Sequence, residues 1–116
     1  MFYRELGNTG LKVSEIALGC EGMSEDNYSM CKRLFDLAEE EGVNYFDLYA
    51  PDPELREAIG KALNGRRDKF IIQSHLCSIW KDGQYTRSRD LRKVKQSFED
   101  SLRLLHVDFI DERAIQ

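Results

Sequence analysis

Apolar residues return along this chain at two spacings, and the change from one to the other marks out its elements. Tyr28, Cys31, Leu34, Phe35 and Ala38 fall three or four residues apart, which predicts an amphipathic helix. Ser24 is its expected N-cap, with Glu25 and Asp26 in the first turn, and Gly42 its expected left-handed stop. Leu55, Ala58, Ile59, Ala62 and Leu63 make a second helical stripe. Asp52 stands where a cap belongs, Pro53 suits the first turn, and Gly65 follows as the stop. Leu91, Val94, Phe98, Leu102 and Leu105 predict the buried face of a third helix. Short apolar runs between these helices read as strands: Ile16 to Leu18 leading into Gly19, Val43 to Tyr49, Phe70 to Leu76, and Val107 to Ile110. A small hairpin over Glu5 to Val13, turning at Asn8-Thr9-Gly10, precedes them, and Lys81 to Ser88 reads as a polar loop.

Strands that alternate with helices imply a parallel sheet joined by right-handed crossovers. The fold class is therefore α/β, and two architectures stay open: a doubly wound sheet, or the opening part of a (β/α)8 barrel. Residues 1–116 read as one domain, with no solenoid repeat and no low-complexity linker. A composition 41% hydrophobic and 33% charged supports a core and argues against disorder. The formal net charge is -4 and basic residues are scattered, which argues against a general nucleic-acid binder. No apolar stretch approaches the roughly 20 residues needed to span a bilayer. The first residues show no signal-peptide core, so a cytoplasmic location is expected. Cys20, Cys31 and Cys77 are an odd number at wide spacing, with no CxxC pair to signal zinc or iron–sulfur ligation. They read as thiols in a reducing compartment, and no metal site is expected.

In either architecture ligands collect at the C-terminal ends of parallel strands. Alternation puts Tyr45, Asp47 and Tyr49 on one face of the second strand, and Ile71, Gln73 and His75 on one face of the third. Asp47, Tyr49 and His75 can then converge on one rim, an arrangement suited to proton transfer.

Tyr3-Arg-Glu-Leu-Gly-Asn-Thr-Gly-Leu-Lys-Val-Ser14, Ala17-Leu-Gly-Cys20 and Gly42-Val-Asn-Tyr-Phe-Asp47 are followed by Glu57-Ala-Ile-Gly-Lys-Ala-Leu63. Arg67-Asp-Lys-Phe-Ile-Ile72 and Leu102-Arg-Leu-Leu-His-Val-Asp-Phe-Ile-Asp111 complete the series. In this order and spacing the blocks resemble the N-terminal part of an aldo-keto reductase. The Phe46-Asp-Leu-Tyr49 form of the second strand is similar to a divergent branch, some members of which carry a C-terminal iron–sulfur region. The resemblance implies a partial (β/α)8 barrel: a hairpin closing its floor, then about four of its strands. It also implies hydride transfer between NADPH or NADH and a carbonyl or alcohol.

In the family a tyrosine gives a proton to the carbonyl oxygen, a lysine lowers that tyrosine's pKa, an aspartate pairs with the lysine, and a histidine completes the group. Only the aspartate carries over, as Asp47. The tyrosine's place falls near Asp52, His75 stands where the lysine is expected, and Gln116 where the histidine is expected. Tyr49 as acid and His75 in place of the lysine are the candidate substitutes. Gly19, Cys20 and Glu21, with Asp47, are the candidates for the nicotinamide side of the cofactor. Because a whole barrel typically needs about 250 residues, the chain reads as an incomplete or shortened product. The polar ending Asp111-Glu-Arg-Ala114 is unlike an apolar barrel strand and points the same way.

Plainer roles compete at each position: a loop or helix cap for Asp47, rim packing for Tyr49, a structural hydrogen bond for His75, packing for Cys20. For the whole chain, the alternative to an oxidoreductase is a non-catalytic half-barrel that dimerises through its open sheet edges. A phosphoacceptor receiver domain would want an acidic pair after its first strand, where Glu21 stands alone.

Overall fold

The computed structural model describes residues 1–23 and 28–116. The expected cap at Ser24, with Glu25 and Asp26, lies outside the described residues. Two short antiparallel strands open the chain, β1 (Tyr3–Glu5) and β2 (Lys12–Ser14). Four parallel strands follow: β3 (Leu18–Gly19), β4 (Tyr45–Leu48), β5 (Ile71–Leu76) and β8 (Glu112–Ile115). Helices α1 (Tyr28–Glu41), α2 (Pro53–Leu63) and α3 (Leu91–Leu105) connect them. The sheet order β3-β4-β5-β8 is also the chain order. A doubly wound sheet reverses direction at a switch point, whereas a barrel adds each strand beside the last. The architecture is therefore that of a partial (β/α)8 barrel, with four strands that do not close.

The core lies between one face of this sheet and the helices. Phe46 stacks on Phe35 of α1 with ring centroids 4.4 Å apart, and Phe70 meets both rings edge-on. Leu48, Ile72, Ile59, Leu63 and Leu105 fill the layer around them. Each such buried side chain is worth about 1.5–3 kcal/mol by transfer out of water. Asp52 caps α2 as expected, its carboxylate accepting from the backbone N–H of Glu54 and Leu55, with Pro53 as the first helical residue. Gly42 and Gly65 end the first two helices at positive φ. Gly60 serves a different need, because a Cβ there would stand 2.6 Å from the Leu104 carbonyl oxygen. It lets α2 and α3 touch backbone to backbone.

Four expectations need correction. Lys81 to Ser88 is not a loop: β6 (Ser78–Lys81) and β7 (Gln84–Arg87) pair antiparallel around Asp82-Gly83. Both turn residues have positive φ, the geometry for which the Asp-Gly pair is favoured in two-residue hairpins. The fourth strand is not Val107 to Ile110. His106 ends α3 in the left-handed conformation, Val107 N–H bonds back to Leu102, and Ile110 drops into the core. The strand starts at Glu112, once Asp111 has accepted from Ile72 N–H at 2.8 Å and paired with Arg67 at 2.7 Å. The polar ending is thus the fourth strand itself. The first strand is shorter than expected, since Ile16 is exposed and only Leu18–Gly19 pairs with β4. Leu91 is 81% exposed at the start of α3, whose inward stripe begins with the half-buried Val94.

Candidate active site

β4, β5 and β8 run in register, Asp47 beside Gln73 and His75 beside Ala114. Side chains of alternate residues therefore share the face of the sheet turned away from the helices. That face is polar, unlike the apolar layers that fill the inside of a typical barrel. At its lower level the Tyr45 hydroxyl contacts Gln73 Oε1 at 3.1 Å and donates a short hydrogen bond to Glu112. Burial and the neighbouring Glu112 carboxylate both raise the Tyr45 pKa.

At the level above, His75 joins the strands. Its Nε2 lies 2.8 Å from Asp47 Oδ1, which also accepts from Gln73 Nε2 at 2.9 Å. A carboxylate only accepts, so the ring carries its proton on Nε2 and leaves Nδ1 as an acceptor. Gln116 Nε2 supplies the matching donor at 2.5 Å. The other atom of the same amide, Gln116 Oε1, accepts from the Tyr49 hydroxyl at 3.3 Å. Tyr49 also packs its ring edge-on against His75, with centroids 4.8 Å apart. The side chain of His75 is 10% exposed and that of Asp47 36%, so the aspartate is the more approachable end of the pair. Asp47, Tyr49 and His75 are thus brought together as the strand alternation requires.

Tyr49 meets a residue that sequence reasoning passed over. Its hydroxyl lies 3.1 Å from that of Tyr85 on β7, which in turn accepts from Arg87 Nε at 3.1 Å. The hydrogen bond shared with Tyr49 and the Arg87 guanidinium hold the Tyr85 phenol below its ordinary pKa. Tyr49 is raised, chiefly by its bond to Tyr85. The Asp82-Gly83 turn was the signal for this, because it fixes a hairpin that carries Tyr85 back over the rim.

Gly19, Cys20 and Glu21 follow β3. Gly19 has open space above its Cα, and the Glu21 carboxylate accepts from Ala50 N–H at 2.7 Å. Cys20 donates its backbone N–H to Asp47 O at 2.9 Å, while its thiol is wholly buried in the core. Burial pushes that thiol up to about 12. The segment is therefore tied to the Asp47 end of β4 through its main chain and through Glu21. Under it lies Arg56, 1% exposed, whose Nη2 donates to Leu48 O at 3.1 Å. Its Nε and Nη1 have no hydrogen-bond partner among the described residues, and burial pulls its pKa down to about 10. Nothing in the helical pattern marked it, since Arg56 sits inside an otherwise apolar stripe. Asp52 is occupied as the cap of α2. Among the described residues no cluster of His, Cys, Asp or Glu is arranged to hold a metal ion.

No known family profile matches the chain. It is similar, at 33% identity over 114 residues, to the uncharacterised oxidoreductase YqkF of Bacillus subtilis, with 93% of this chain and 36% of that protein aligned. It is similar at 28% identity to the aldo-keto reductase YhdN of the same organism, covering 96% of this chain and 36% of the relative. Among solved structures, the holo form of the aldo-keto reductase AKR11C1 from Bacillus halodurans superposes with a TM-score of 0.86. That likeness holds at 31% identity over 99% of this chain and 40% of the other. The chain thus spans well under half the length of the relatives it matches. In sequence and in fold the chain is thus similar to the opening β/α units of aldo-keto reductases, and it shares with them a partial (β/α)8 barrel.

Proposed function

We propose that residues 1–116, as one half-barrel domain, carry the nicotinamide end and the proton-transfer group of an NADPH- or NADH-dependent oxidoreductase acting on a carbonyl or alcohol. The observation that carries this is the hydrogen-bonded series Asp47–His75–Gln116–Tyr49 along the C-terminal rim of the barrel strands. Three of its members stand where the family's aspartate, lysine and histidine are expected. The reduced cofactor, when bound, supplies a hydride. Gly19 offers an uncluttered surface for the ring, with the Cys20 main chain and Glu21 setting that edge of the site against Asp47. Asp47 fixes the imidazole with its proton on Nε2, and Gln116 fixes the other side of the ring. Tyr49 is held by the same amide and is the acid that protonates the substrate's oxygen. Among the described residues the rim offers no cluster of cations for the cofactor's phosphates, so the fit extends to the nicotinamide end. The substrate class is small carbonyl compounds or their alcohols. No helix of the described residues is long and apolar enough to cross a membrane, and a cytoplasmic setting goes with this reading.

Calorimetric titration with NADPH tests it. Saturable binding that weakens at least about tenfold in Asp47→Ala, some 1.4 kcal/mol, supports the reading. Absence of binding at millimolar cofactor would sink it for this chain.

A second reading rests on the sheet edges. Among the described residues β3 and β8 each have one side without a strand, and Ile115 on β8 is 77% exposed. A non-catalytic half-barrel would satisfy those edges by pairing with a second copy. A dimeric solution mass without cofactor binding favours it.

A further inference from the structure

The β6–β7 hairpin brings Tyr85 and Arg87 to the proton-donating side of the site, where no family residue was expected. We propose that these two residues form a charge-holding relay behind Tyr49: as Tyr49 gives its proton away, Tyr85 replaces it, and Arg87 holds the negative charge left on Tyr85. This deepens the oxidoreductase reading above and rests on it.

The geometry is a chain of three contacts. Tyr49 and Tyr85 hydroxyls are 3.1 Å apart, their rings 5.3 Å apart, and Arg87 Nε donates to the Tyr85 oxygen at 3.1 Å. Hairpin register sets this spacing: Tyr85 and Arg87 are two residues apart on β7, hence on one face, and pair with Trp80 and Ser78 of β6. The groups that face the two hydroxyls are Arg87 from β7, which acts on both, Ser78 from β6 on the Tyr85 side and, on the Tyr49 side, the Gln116 amide with His75 behind it. Among the described residues no carboxylate is hydrogen-bonded to either phenol. The full charge hydrogen-bonded to the pair, among the described residues, is the Arg87 guanidinium, which favours the ionised form of the nearer phenol. That phenol is Tyr85. Its pKa is lowered and that of Tyr49 raised, as the same geometry requires.

The proton count closes. A bound reduced nicotinamide would supply the hydride for the new C–H bond at the carbonyl carbon, being itself oxidised. The π pair of the C=O bond moves to oxygen and takes the Tyr49 proton. Tyr49 takes the Tyr85 proton across their shared hydrogen bond, and Tyr85 remains a phenolate against Arg87. Water then reprotonates Tyr85, which is half-exposed. The arrangement gives this site the elements that a tyrosine and lysine supply elsewhere in the family: a phenolic acid and a fixed cation that lowers its pKa. Here they are divided among Tyr49, Tyr85 and Arg87.

The test is a pH titration of the whole chain labelled with 13C at the tyrosine ζ carbons and followed by NMR, with Tyr85→Phe assigning the resonance. Tyr85 should titrate below the ordinary phenol value of about 10. Arg87→Gln should raise it by about one unit, a tenfold fall in ionisation constant, and Tyr49→Phe should raise it too. Arg87 is exposed, so the fold should tolerate its replacement. A Tyr85 that titrates at or above the ordinary value, or that ignores Arg87→Gln, overturns the relay. NADPH binding is measured on the same samples and should survive Tyr85→Phe. Loss of binding in the parent would defeat the oxidoreductase reading, whereas an unshifted Tyr85 with binding intact would defeat the relay alone.

Discussion

Two side chains beneath the rim carry opposite penalties for burial. Cys20 keeps its proton in the folded chain to about pH 12, where a thiol ordinarily releases it near 9. Between those values the unfolded state binds fewer protons than the folded one, so stability falls as pH rises through that window. Urea midpoints measured across it should show a shallower decline in Cys20→Ala, and an unchanged slope would count against the burial. Arg56 is a base whose pKa is lowered by the same burial, with two nitrogens lacking partners. A buried charge so incompletely satisfied is often replaceable by an apolar side chain without loss. Arg56→Met should therefore unfold at a urea midpoint equal to or above the parent's. A clearly lower midpoint would mean that the Nη2 bonds to Leu48 O and Ser74 Oγ outweigh the desolvation. The sequence showed the residues of both sites but not their burial. Nothing in a helical stripe announces that a guanidinium will point inward.

At the scale of elements, α2 and α3 are held together by the absence of a side chain. A Cβ on Gly60 would stand 2.6 Å from Leu104 O and 2.8 Å from the Leu105 Cα and C. These are backbone atoms that cannot swing aside, so the helices must separate. Gly60→Ala should cost stability despite its better helix propensity, by about 1–3 kcal/mol as overpacking typically does. Denaturant melts giving a gain instead would show that the contact relaxes easily. The hairpin of β6 and β7 is the other decisive element. Its Asp82-Gly83 turn was visible in the sequence, yet the polar residues around it looked like a loop. Its strand-marking residues are few, Ile79 and Trp80 on one arm and Tyr85 and Thr86 on the other. The fourth strand was misplaced for a related reason. Val107 to Ile110 is the more apolar run, but the left-handed turn at His106 spends it on returning the chain to the core. Glu112–Ile115 pairs with β5 although it is polar, because its inward Glu112 meets the Tyr45 hydroxyl rather than an oily layer.

The molecule as a whole is an α/β layer with one face covered by helices and the other lined by Tyr45, Asp47, Gln73, His75 and Glu112. A polar open face tolerates water, but open sheet edges still present unpaired backbone groups. β8 is the more hazardous edge because Ile115 is exposed on it. Sedimentation should find the parent's average mass rising with concentration, and Ile115→Lys should suppress that rise. The same concentration dependence in both chains would exclude this edge as the contact.

What the sequence by itself determined were the features governed by local chemistry: helix faces, the Asp52 cap, the Gly42 and Gly65 stops, and the alternation that puts Asp47 and Tyr49 on one face. The family blocks added the barrel and the aspartate. Tertiary structure decided the rest, because it depends on which distant groups meet. Strand order distinguished a barrel from a doubly wound sheet. Register across β5 and β8 set His75 between Asp47 and Gln116, partners 28 and 41 residues away along the chain. A hairpin hidden in a polar stretch delivered Tyr85 and Arg87 to Tyr49. Hydrogen bonds of that reach form only after the sheet has aligned the strands, since a residue's type states what it can bond and not which partner the fold will bring within 3 Å.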